Sequence, residues 1–204
     1  MESTGTFILV RHGESQSNRD RHFALNGDVG LTETGRHQAE EVTGQIAAGF
    51  APARVLSSHF RRAMESAEII ARRLDLPLEV VEGIHERDLG CLKGQPWTRH
   101  RELAESDPSY DPQQDWLWRP QGGESYQDVQ RRVVPRLEEL RRRFTNGESV
   151  IVSHGAVMRA VFSHFSGSWD HSFIPQNCAI LLLPFDSKGF HRPNVLCSTP
   201  SEGV

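Results

Sequence analysis

Phe7-Ile8-Leu9-Val10-Arg11-His12-Gly13-Glu14-Ser15 sets four apolar residues against an abrupt, charged, glycine-bearing turn. A short apolar run with β-branched content, bounded in this way, predicts a buried strand rather than a helix. The pattern recurs at Val150-Ile151-Val152-Ser153-His154-Gly155, again an apolar run that ends in histidine and glycine. Each glycine permits a sharp turn and brings its amide close to a bound group. In sheets of parallel strands, ligands bind just beyond the carboxyl ends. Either histidine alone reads as packing; two at equivalent strand ends point to a site.

Working outward, strands alternate with helices. Thr32 is the expected N-cap of a helix on which Ala39, Val42 and Ile46 recur before Gly49. A strand over residues 54–57 precedes a helix with Ala63, Ala67, Ile70 and Leu74 on one face, ending before Pro77. Residues 78–81 predict a further strand. A longer helix starts near Ser125, with Asp128 in its first turn and an apolar stripe of Val129, Val133, Leu137, Leu140 and Phe144. Pro135 removes a backbone donor and crowds the Arg131 carbonyl, which predicts a kink. A strand at 150–153, a helix at 156–165, a strand at 178–184 and one more within 190–197 complete the chain. This order predicts an α/β fold, a three-layer sandwich whose mostly parallel central sheet carries helices on both faces.

The 204 residues suit one domain, 1–204, with an insertion at about 94–123. There Pro96, Pro108, Pro112 and Pro120 mix with Trp97, Trp116 and Trp118, which predicts irregular structure with one helix and a candidate lid. At least two of those tryptophans are expected to pack the insertion onto the body. The last residues, 198–204, read as a mobile tail.

Composition narrows the function. A net charge of −4 gives no basic face for nucleic acid, and the Arg141-Arg142-Arg143 run sits beside Glu138 and Glu139 as a solvated helix face. Cys91, Cys178 and Cys197 are odd in number and lack metal-ligand spacing, so reduced thiols in a cytoplasmic protein are expected. No signal-type or membrane-length apolar segment is present. Oligomeric state stays open, a homodimer included.

Arginines sharpen the picture. Arg11 precedes the first histidine and Arg62 opens the helix after the second strand, where fork donors and backbone amides both favour a phosphate. The block Arg11-His12-Gly13-Glu14-Ser15 with Asn18 resembles the signature of the histidine phosphatase superfamily, which includes phosphoglycerate mutases. So do, in order, Leu31-Thr32-Glu33-Thr34-Gly35 with Gln38-Ala39, Ser57-Ser58 with Arg62-Ala63 and Ser66-Ala67, and Glu86 before Leu89-Gly90 and Gly94. Gly122-Gly123-Glu124-Ser125, Val152-Ser153-His154-Gly155 and Asn177 complete the set. The likeness runs over roughly 7–183. It departs at His59-Phe60, where an acidic-aliphatic pair is usual, at Ser66, where threonine is common, and at Cys91, beside the acid loop.

The resemblance implies a metal-independent phosphomonoester phosphatase that needs no cofactor and acts on a small phosphorylated substrate. His12 as neutral imidazole would attack phosphorus, and water would then hydrolyse the phosphohistidine. Arg11, Arg62 and His154 would neutralise the oxygens, Asn18 and the Gly155 amide would complete the cradle, and Glu86 would protonate the leaving oxygen. A salt bridge from Glu86 to Arg87 or Arg11 is the competing reading. Glu14 is expected to hold an arginine or a helix end. His22, His37, His59, His85, His100, His164, His171 and His191 are expected on the surface or in packing.

Three alternatives bear weighing. A zinc site of His12, His154 and Glu86 would place a divalent cation against two arginines. A non-catalytic binding module would have lost a reacting residue, and none is lost. A cofactor-dependent phosphoglycerate mutase fits Glu86-Arg87, but the insertion lacks a paired-arginine block for a second phosphate and a carboxylate. Phosphatase is therefore the expectation.

Overall fold

A computed structural model describes residues 4–169 and 175–196. Cys197, His171 and the tail at 198–204 lie outside the described residues. One six-stranded sheet runs in the order β3-β2-β4-β1-β5-β6. Its strands are β1 (Thr4–Arg11), β2 (Pro52–Ser57), β3 (Leu78–Val80), β4 (Gly147–Ser153), β5 (Ile180–Asp186) and β6 (Asn194–Leu196). β1, β4, β2 and β3 are mutually parallel; β5 runs antiparallel to β1, and β6 antiparallel to β5.

The opening apolar run occupies the sheet's interior, and its four side chains are fully buried. Alternation sorts them. Phe7 and Leu9 join Leu56, Ile151 and Leu181 beneath α5 (Tyr126–Arg143) and α6 (Gly155–Ser166). Ile8 and Val10 join Val55, Val150 and Val152 beneath α2 (Glu33–Gly49) and α3 (Arg61–Leu74). A strand with both faces covered needs apolar residues at every position, which is why the run does not alternate with polar ones. Leu9→Ala would leave a cavity in this layer and is expected to lower unfolding free energy by about 2–5 kcal/mol, measured by urea denaturation.

Thr32 caps α2 through Gly35 N, and Ser125 with Asp128 forms a capping box at α5. The kink expected at Pro135 does not break α5, which runs on to Arg143. Pro135 is exposed, so the carbonyl it frees can hydrate. Phe144 lies just past the helix as its C-cap, with the Arg54 guanidinium 4.1 Å above its ring.

The 94–123 segment holds α4 (Thr98–Ser106) and a 3-10 turn, Pro112–Leu117. Its Ala104 and Trp118 form a small cluster with Leu92 of the preceding loop. Trp116 stacks on Trp169 at 5.7 Å and so ties the insertion to the body as expected, whereas Trp118 donates to Asp107 at 3.1 Å within the insertion itself. Trp97 is 41% exposed.

Candidate active site

Strand register brings the two histidines together. Arg11 pairs with Ser153 at the carboxyl ends of β1 and β4, so the next residues, His12 and His154, emerge side by side with ring centroids 5.2 Å apart. The loop after β1 then packs on α2 at backbone contact. A Cβ on Gly13 would meet the Gly35 carbonyl oxygen at 2.2 Å, and one on Gly35 would meet the Glu14 oxygen at 2.0 Å. Glu14 holds the helix end, its Oε1 accepting from Thr32 Oγ1 at 2.6 Å. Ser66 donates to the Arg62 carbonyl and accepts from Gly13 N, so a hydroxyl is kept where threonine is usual.

The hydrogen bonds assign the state of His12. Its Nδ1 lies 2.7 Å from the Gly13 carbonyl, which can only accept. Nδ1 therefore carries the proton. Nε2 accepts from Arg62 Nε at 3.1 Å, which leaves it a neutral, lone-pair nitrogen aimed beside a guanidinium. Burial, then Arg62 and Arg11, hold the imidazole well below its ordinary pKa. His154 is likewise held neutral by burial, Arg62 and His12. Its Nε2 lies 2.9 Å from Ser58 Oγ, and that hydroxyl already accepts from Phe60 N. A hydroxyl both donates and accepts, so with Ser58 as the donor to Nε2 it is Nδ1 of His154 that carries the ring proton.

Four buried nitrogens at the cleft or just behind it have no hydrogen-bond partner among the described residues: Arg11 Nε, Arg62 Nη1, Arg87 Nη1 and His154 Nδ1. Each buried, unanswered donor costs about 1–3 kcal/mol, more when charged. Their convergence is therefore the signature of an anion site. Burial lowers the Arg62 guanidinium to about 10, which still leaves it cationic at neutral pH. Ser15 caps the short helix α1 (Gln16–Arg19), with Asn18 as the other half of its capping box. Asn18 Oδ1 accepts from Ser15 and from Asn177 Nδ2, so its amide nitrogen is the group left for a ligand. Asn177 also donates to the His12 carbonyl at 2.9 Å.

Glu86 lines the same cleft and forms no ion pair with Arg87 or Arg11. Its Oε1 accepts from the backbone N–H groups of Arg87 (2.8 Å) and Ala156 (3.2 Å). The loop that carries it is clasped by Arg132, which donates to the Gly83 and Glu86 carbonyls and to both Glu124 oxygens. Glu124 in turn accepts from Asp88 N, which explains the Gly-Gly-Glu-Ser block.

Arg11, His12, Asn18, Arg62, Glu86 and Gly155 line one cleft of about 550 Å³. Every predicted site residue is thus at this cleft or, for His154, directly behind it. In the sequence Arg87 reads as a salt-bridge partner for Glu86 or as half of a mutase-like Glu86-Arg87 pair. It is instead 5% exposed, stacked 4.4 Å from the Tyr126 ring, and without a carboxylate partner among the described residues. Tyr126, Arg159 and Asp115, which also line the cleft, were not foreseen. Among the described residues no three His, Cys, Asp or Glu side chains gather as a metal site, and no helix is long and apolar enough to cross a membrane.

The buried neutral histidines set an acid limit on stability. Unfolded, each ring takes up a proton near pH 6.5; folded, His12 and His154 stay neutral well below it. In that window the unfolded chain binds more protons, so stability falls as pH falls, by up to about 1.4 kcal/mol per pH unit per ring. Urea unfolding at about pH 7.5 and about pH 5.5 checks this, and a flat profile would contradict it.

A sequence model of the histidine phosphatase superfamily (branch 1) matches residues 7–194. The metal-independent phosphoserine phosphatase of Arabidopsis thaliana is 32% identical over 161 residues, 76% of this chain and 66% of that protein. A 2,3-bisphosphoglycerate-dependent phosphoglycerate mutase of Cytophaga hutchinsonii is 32% identical over 167 residues, 77% of this chain and 75% of its own. Among solved structures, YhfR of Bacillus stearothermophilus superposes with a TM-score of 0.79 at 28% identity, covering 92% of this chain and 95% of that one. The chain spans 66% of the plant relative's length and only 40% of some other curated relatives.

Proposed function

Because the chain belongs to the histidine phosphatase superfamily, we propose that it hydrolyses small phosphomonoesters without a metal, through a phosphohistidine on His12. The observation that carries this reading is the lone pair of His12 Nε2, held beside Arg62, with unanswered buried nitrogens of Arg11, Arg62 and His154 close by. A nucleophile ringed by fixed donors is what in-line phosphoryl transfer requires.

In the first step Nε2 attacks phosphorus and the ester oxygen leaves. Arg11, Arg62 and His154 Nδ1 take the three non-bridging oxygens, with Asn18 and the Gly155 amide beside them. The Nδ1–H···O=C bond to Gly13 stabilises the positive charge that develops on the ring. Glu86 gives the leaving oxygen its proton. In the second step it takes a proton from water as that water attacks the phosphohistidine, which returns His12 and releases phosphate. The 94–123 insertion serves as the lid of the cleft in a one-domain, cytoplasmic enzyme.

Relatives named as phosphatase and as mutase match at equal identity, so identity does not separate the two activities. Phosphate release measured in excess chelator does, from a panel with phosphoserine, 3-phosphoglycerate and aryl phosphates, with 2-phosphoglycerate followed in parallel. Chelator-resistant release is the expected result. Isomerisation without release would reassign the enzyme as a mutase, and silence on every substrate would leave a binding module.

A further inference from the structure

Beyond the phosphoryl site the cleft is edged by Arg87, Arg159, Asp115 and Tyr126. Arg159 lies on α6 four residues past Gly155, about 6 Å further along the helix axis. That is the reach of a substituent a few bonds away on the leaving group. Its guanidinium sits 4.1 Å from the Tyr126 ring centroid, and that of Arg87 lies 4.4 Å from the same centroid. The two cations differ in one respect. Arg159 Nη2 donates to both Asp115 oxygens, at 2.8 and 2.9 Å, and its pKa is raised in that company. Arg87 has no carboxylate among the described residues.

Asp115 comes from the 3-10 turn of the insertion, 44 residues before Arg159, and reaches across the cleft to neutralise it. Arg101, at the rim, is likewise paired, with Glu105 at 2.7 Å. Subtracting the pairs, the leaving-group side offers Arg87 as its single unanswered guanidinium among the described residues. A leaving group with one anionic group meets one cation there. A second anionic group meets a neutral pair whose carboxylate repels it, and to bind it must displace Asp115.

We propose that Asp115 is a specificity-determining residue, a charge filter that admits leaving groups with at most one anionic group and rejects bisphosphorylated substrates. The inference rests on the phosphatase reading and deepens it. A mutase must hold a bisphosphorylated intermediate, and Asp115 occupies the cation that such an intermediate would need.

Asp115→Asn and Arg159→Gln break the same contact but shift the local charge in opposite directions, which makes them a decisive pair. For each, kcat/KM is measured for 2,3-bisphosphoglycerate, 3-phosphoglycerate and p-nitrophenyl phosphate. The ratio of the bisphosphate to the aryl phosphate is expected to rise about tenfold or more in Asp115→Asn and to fall in Arg159→Gln. The 3-phosphoglycerate ratio moves the same way by less. If both ratios move together, the pair only fastens the insertion and the filter is overturned; no movement in either overturns it too. If the wild-type enzyme turns over none of the three, the phosphatase reading fails separately. The filter is then read from calorimetric Kd values for 2,3-bisphosphoglycerate, which must tighten in Asp115→Asn and weaken in Arg159→Gln.

Discussion

His12→Ala is expected to lower phosphate release by about 10⁵-fold or more, below detection on most esters, because the reaction loses the atom that forms the covalent bond. No neighbour can stand in. His154 is the neighbouring imidazole, but it is fully buried with its Nε2 against the Ser58 hydroxyl. Cys178, on the far side of Arg11, is kept as a thiol because burial pushes it up to about 12. The variant should still fold, since the His12 backbone keeps its bonds to Ser153 and Asn177. Radiolabelled substrate separates loss of chemistry from loss of structure. Wild type quenched in alkali should carry label that acid removes, as a phosphoramidate does, and His12→Ala should carry none. His154→Asn should slow labelling yet leave the label on His12. Label persisting in His12→Ala would move the nucleophile elsewhere and overturn the mechanism.

Much of this site was legible because its residues serve the fold and the chemistry at once. The run Phe7-Ile8-Leu9-Val10 announces a strand covered on both faces, and such a strand must end where the chain can turn, at Gly13. A second run of the same kind, ending at Gly155, pairs in parallel with the first, and register then sets His12 against His154. Neither inference needs side-chain geometry. What stayed hidden is pairing across the chain. Nothing local in Arg132 tells that it clasps the Glu86 loop through Gly83 and Glu124, and nothing local in Asp115 tells that it meets Arg159. The helix α1 is too short to show a period, and Asn18, which reads as a phosphate ligand, is also half of its capping box with Ser15. Arg87 was misjudged for a related reason. Adjacent to Glu86 in sequence, it reads as a counter-ion, yet its side chain turns onto Tyr126 and only its backbone N–H serves the carboxylate. The one available signal was the spacing from Gly155 to Arg159, which puts both on one face of α6.

Glu86→Gln carries the second large effect, and leaving-group chemistry reveals its origin. The amide keeps an oxygen for the Arg87 and Ala156 N–H groups, so the loop stays in place while the transferable proton is lost. For an alkyl ester, whose oxygen leaves as a strong base, kcat should fall by about 10²–10⁴ with little change in KM. For p-nitrophenyl phosphate the departing phenolate needs no proton, so phosphorylation of His12 should be nearly spared. Hydrolysis of the phosphohistidine still wants a base, and in this variant that step becomes the slow one. Stopped-flow absorbance should therefore show a burst of about one nitrophenolate per active site, followed by slow turnover. Nucleophiles stronger than water, added as acceptors, should restore part of the slow phase. Equal losses for alkyl and aryl esters, with no burst, would show that Glu86 only holds the loop beside Ala156, and the proton donor would have to be sought elsewhere in the cleft.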